Sequence, residues 1–180
     1  MTPDEIRSKV ASLDARDWRV DEAVWPQLEP LGVQIVPYLR DAYPTFRRGL
    51  GRQALVHHSI KFARESEDAF QLGLTALDDR SIVVIYSACM LLAYSLRDDA
   101  IEPLENVLDH KDKRAVDDAR AAIDSIKHRN HHYFKDRCHS GRVFLVINPS
   151  DNPSYSVTSS SAFASPKWKA MLARFKTLLR

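Results

Sequence analysis

Glycine is scarce in this chain, with five in 180 residues. So few excludes a glycine-rich phosphate cradle and leaves little room for tight turns, as suits an all-helical protein. Cysteine is scarcer still. Cys89 lies inside the apolar stretch SIVVIYSACMLLAYSL and Cys138 in a polar turn, so no disulfide framework is expected. Long hydrophobic runs are missing too. The longest, 82–96, is interrupted by Ser87 and Ser95 and falls short of the ~20 residues a membrane span needs. It reads instead as a central buried helix. The opening MTPDEIRSKV has no apolar signal core, so a cytoplasmic location is expected. Acid is absent from residues 152–180, which carry Lys167, Lys169, Arg174, Lys176 and Arg180. With a net charge of +2, that +5 tail leaves residues 1–151 at −3. A dedicated nucleic-acid binder is usually basic in the fold itself, and this body is not.

What is present is a repeat. AFQLGLTALD at 69–78 superimposes on AIEPLENVLD at 100–109, an offset of 31 residues. The helices after them also align, Ile85, Ala88, Leu91 and Leu92 falling on Val116, Ala119, Ala122 and Ile123. A repeat of this length with two helices per unit predicts a stacked helical array. An apolar content of 44% and a charged content of 28% suit a soluble globular chain of this kind.

Start and stop signals divide the chain into helices. Thr2-Pro3-Asp4-Glu5 opens the first, with a capping hydroxyl, a proline and two acids. Apolar spacing predicts further helices over 22–31, 33–43 and 47–65. Ser66-Glu67-Asp68 caps the next, and Asp79-Arg80-Ser81 separates it from the apolar helix at 82. Asp98-Asp99 and Asp112 open the last two, which end near Lys127. The short loops predict antiparallel neighbours. Beyond them, NHHYFKDRCHSGRVFLVIN at 130–148 alternates around Ser140-Gly141 and reads as a β-hairpin. A serine-rich linker is expected over 149–164. An amphipathic basic helix is expected over 165–180, with Trp168, Met171, Leu172, Phe175, Leu178 and Leu179 in one stripe. Docking on the body or on a second copy, attachment to an anionic membrane surface, and a nucleic-acid arm are all open to that helix, in that order.

The helix pairs, with an Asp at each turn and prolines at 37 and 103, resemble HEAT-type repeats over residues 20–127. Together with the terminal NHHYFKDRCHSGRVFLVIN segment they look like small bacterial HEAT-like immunity partners of polymorphic toxins. The resemblance implies a short superhelix that binds a protein partner without catalysis or cofactor. It further implies one-to-one neutralisation of a cognate toxin by occlusion. A DNA-gripping, glycosylase-like array is the alternative, on Arg47, Arg48, Arg52, Lys61, Arg64 and Arg80; a scaffold subunit of a larger complex is another.

The candidate partner contacts are His58, Lys61, Asp117, Asp124, His132, Tyr133, Arg137 and Arg142. Tyr and Arg are the types enriched at interface hot spots. His128, His131, His132, Cys138 and His139 could offer zinc ligands, but their spacing matches no zinc-finger pattern, and a partner-facing loop without metal is expected. A Cys138-His139 nucleophile pair is disfavoured because chain neighbours seldom present side chains to each other. His57 and His58 are expected on a helix surface rather than as acid and base.

Overall fold

The computed structural model describes residues 1–152, of which Met1–Asn148 form one compact unit. The expected basic helix, and all of the expected linker beyond residue 152, lie outside the described residues. Residues Pro149–Asp151 form a 3-10 turn.

Local chemistry sets the helix starts. Helix α1 (Pro3–Ser12) opens with a full capping box: Thr2 Oγ1 accepts from the Glu5 amide at 3.3 Å, and the Thr2 amide donates to Glu5 Oε2 at 2.7 Å. Helix α2 (Arg19–Leu28) carries Pro26 inside its last turns and continues as a 3-10 helix over Glu29–Ile35. There Gly32 takes a φ of 58°, which a side chain would strain. Helix α3 (Val36–Ala42) follows, then α4 (Gly49–Ser59) with a 3-10 turn over Ile60–Phe62. Ser66 caps α5 (Glu67–Ala76), its Oγ accepting from the Ala69 amide at 3.2 Å. Helix α6 (Ile82–Ser95) ends at Leu96, and α7 is short (Ile101–Asn106). Asp112 caps α8 (Lys113–Lys127) through the Arg114 amide at 2.9 Å.

Alternate helices pack on one another. One row runs α1, α3, α5 and the other α4, α6, α8; α3 with α4 and α5 with α6 tie the rows together, and α7 packs on α8. Helix α6 is the centre, with eleven of its fourteen residues buried, including Tyr94, Ile85, Met90 and Leu91. Each such side chain contributes about 1.5–3 kcal/mol by leaving water. Gly73 on α5 permits the closest approach: a Cβ there would lie 2.6 Å from Leu91 Cδ2. Cys89 is sealed in this core, and burial pushes its thiol far up.

One buried ion pair fixes the turn between α5 and α6. Arg52 grips Asp79 with two bonds of 2.6 and 2.9 Å, and Tyr43 OH donates to the same carboxylate at 2.6 Å. Burial alone would raise the Asp79 pKa; bonds from Arg52, Tyr43 and the Ser81 amide outweigh it and hold the group below its usual range.

The expected β-hairpin over 130–148 is not formed: none of the described residues is in a strand. Residues His131–Phe134 make a 3-10 turn instead, because the Asn130 side chain accepts from the His132 amide at 3.0 Å. The turn lies on α8 and α6, with Phe134 fully buried. The last helix of the array therefore does not face water on its whole outer side.

Candidate functional site

The segment after α8 is pinned by side chains rather than by a ladder. Arg129 takes a φ of 52° and reverses the chain. His131 is buried, with Nδ1 2.9 Å from Arg64 Nη2 and Nε2 3.1 Å from the Leu145 carbonyl oxygen. A guanidinium can only donate, so Nδ1 accepts, and Nε2 carries the proton given to Leu145. Asn148 closes the segment by donating to Tyr94 OH at 2.8 Å and to the Lys61 carbonyl at 3.1 Å.

Asp136 organises the loop between. Its carboxylate accepts from Ser140 Oγ at 2.8 Å and from the Gly141 amide at 3.0 Å. Burial would raise its pKa, but these donors together with the Cys138 thiol hold it below its ordinary value. Gly141 sits at a φ of 76°, and His139 is drawn into the same left-handed region at 53°. Such a backbone costs a non-glycine residue roughly 1–3 kcal/mol and persists only where its surroundings impose it. Next to it, Arg137 bonds Asp118 at 2.6 Å and the Asp117 carbonyl at 3.1 Å, which anchors the loop to α8. Burial raises the Asp118 pKa, and Arg137 opposes that rise.

This loop delivers His139 to Asp124. Its Nε2 lies 2.6 Å from Asp124 Oδ2. His128, the residue that caps α8 four positions after Asp124, brings Nδ1 to 3.1 Å from Oδ1. One carboxylate thus holds two imidazoles, one on each oxygen. Tyr133 stacks on the His139 ring at 3.8 Å and 9°. Candidate ligand atoms of Asp124, His128 and His139 all lie within 4.8 Å of one another.

A second Asp–His cluster lies between α2 and α4. His58 Nε2 is 2.7 Å from Asp21 Oδ1, and its ring stacks on Trp25 at 3.6 Å and 6°. Lys61 spans Glu29 at 3.0 Å and the Trp25 ring at 5.8 Å. His57 turns inward: its Nδ1 is buried with no hydrogen-bond partner, and burial, then His58, lower its pKa to about 4.

The eight sequence candidates therefore separate. Asp124 and Tyr133 meet in the His139 cluster, and Asp117 and Arg137 meet beside it; His58 and Lys61 belong to the other cluster. His132 is half-buried with Nδ1 unpartnered, and Arg142 is exposed. The five-residue His/Cys group also divides. His131 is spent on Arg64 and Leu145, and Cys138 faces the Asp136 carboxylate at 3.5 Å. His128 and His139 converge on a carboxylate, that of Asp124, whose four-residue offset from His128 was readable in the sequence. A recess beside Arg52 and Asp79 is lined also by Tyr43, Pro44, Phe46, Thr75, Asp78 and Arg80; in it Arg52, Asp79 and Tyr43 are already bonded to one another. Comparison with known protein families, curated proteins and solved structures finds no match to this chain.

Proposed function

We propose that the chain is a protein-binding module, with its contact surface on the segment after α8. The observation that carries this is a run of apolar side chains facing outward: Val143, Phe144 and Val146 are 39%, 52% and 45% exposed, while Leu145 alone turns in. Their backbone belongs to no ladder. An exposed apolar strip marks a contact site, and interfaces place such a centre inside a polar rim. Here Arg142 flanks the strip in sequence, and the His131–Phe134 turn meets it through the bond from His131 to Leu145. Tyr133, Arg137, His132 and Asp117 are the rim residues in this reading. The alternate packing of helices supports a short HEAT-like array beneath them.

The narrower form of the proposal is an immunity protein that occludes a cognate toxin domain one to one, with no catalysis of its own. A DNA-gripping array draws less support. Arg52 is committed to Asp79, Arg48 to Asp14, Lys61 to Glu29 and Arg64 to the Tyr94 carbonyl, so few of its cations remain for phosphate.

Quantitative capture with wild-type protein and with Phe144→Glu tests the reading. A partner held by the wild type should bind the variant at least ~30-fold more weakly, as expected for a hot-spot residue. Equal capture by both proteins, or salt-sensitive retention of duplex DNA in place of a protein, overturns it.

A further inference from the structure

We propose that Asp124, His128 and His139 form a binding site for one late first-row divalent cation, zinc by ligand class. The donors are two imidazole nitrogens and one carboxylate, which suit Zn²⁺ better than the oxygen-seeking Mg²⁺ or Ca²⁺. Three protein ligands leave a fourth position for water or for a group brought by another molecule.

Geometry argues for a built site. The donor atoms fall within 4.8 Å of one another. Tetrahedral ligands at zinc bond lengths stand about 3.4 Å apart, so small rotations of exposed side chains bring all three onto one ion. Asp124 stands in the last turn of α8 and His128 is the residue that caps it, its amide still bonded to the Asp124 carbonyl at 3.1 Å. His139 arrives from another element, and the chain spends strain to put it there. Its φ of 53° is imposed by the Asp136 turn, whose carboxylate collects Ser140 and Gly141. The Tyr133 stack then sets the plane of the ring. Positions that are strained and over-determined in this way concentrate at functional sites. His128 Nδ1 also lies 3.0 Å from the Asp124 carbonyl, a contact the metal would displace. Cys138, one residue away in sequence, is engaged with Asp136 and takes no part.

The test is calorimetric titration of the full, untagged chain, stripped with chelator, using Zn²⁺ alone. One ion per chain is expected, and Mg²⁺ in its place should give no saturable uptake. His139→Ala and His128→Ala should each weaken uptake at least ~100-fold with unchanged circular dichroism, since each removes one of three ligands. His132→Ala and Cys138→Ser should leave it intact. Co²⁺ should bind without a thiolate charge-transfer band. Absence of saturable Zn²⁺ uptake by the wild type, uptake retained in His139→Ala, or a thiolate band with loss in Cys138→Ser would each overturn the assignment.

Discussion

The molecule builds an aspartate, a histidine and a stacked aromatic ring twice, and the two copies differ in what they leave open. In the first, Asp21 meets His58 at 2.7 Å and Trp25 covers the ring at 3.6 Å. In the second, Asp124 meets His139 at 2.6 Å and Tyr133 covers the ring at 3.8 Å. The bond lengths and the stacking are nearly the same. Exposure is not: the His58 side chain is 11% exposed and that of His139 37%. The neighbouring histidines differ as well. His57 buries its Nδ1 without a partner, whereas His128 takes the other oxygen of the Asp124 carboxylate. The first copy is closed, and it holds α2 against α4. The second has each carboxylate oxygen paired with an imidazole, and all three side chains lie within reach of solvent. An aspartate, a histidine and a stacked ring thus close a helix contact in one place, and in the other stay open to solvent with a second histidine at hand.

The largest test of this contrast concerns His57. Its folded-state pKa of about 4 lies below the ordinary value of 6.5. The unfolded chain therefore takes up the proton first as pH falls. The stability linked to this group is complete above about pH 6.5 and is lost down to about pH 4, up to about 3 kcal/mol. Urea unfolding of His57→Phe, set against wild type at both ends of that window, should show this part of the acid loss abolished. A wild-type acid limb that persists unchanged in the variant would mean the inward ring is not the cause.

A smaller difference separates the two stacked aromatics. Trp25→Ala should cost about 2 kcal/mol, because the ring packs between helices of the body, and Tyr133→Ala about 1 kcal/mol. Thermal unfolding of both variants decides the order; a reversed order would break the contrast between the closed copy and the open one. The smallest effect is expected from His128→Ala. Its side chain is 53% exposed, so metal-free stability should stay within about 0.5 kcal/mol of wild type in chemical denaturation. A loss several times larger would assign His128 to packing after all.

Much of this was legible in the sequence, for physical reasons that differ by element. The caps at Thr2, Ser66 and Asp112 were readable because a cap is a local bond over two or three residues. The apolar helix at 82 was readable because a helix buried on all sides carries no polar face. The hairpin misled because the apolar run at 143–147 suits a strand but is satisfied differently. Leu145 turns in and its neighbours out, as in a strand, yet the Leu145 carbonyl is taken by an imidazole instead of a partner amide. In the candidate site, the Asp124–His128 pair follows from helical spacing. His139 does not, since its arrival depends on the Asp136 turn and a positive φ that no pattern in the chain announces.

The closing bonds of Asn148 carry a further consequence. An open stack of helices can lengthen by adding units at its exposed end. Here the chain doubles back past its final helix, and one amide side chain stitches it to Tyr94 and to the Lys61 carbonyl. Growth by duplication beyond residue 148 would leave the terminal helix already covered. This seam therefore closes the α8 end of the helical body to a further helix packed there.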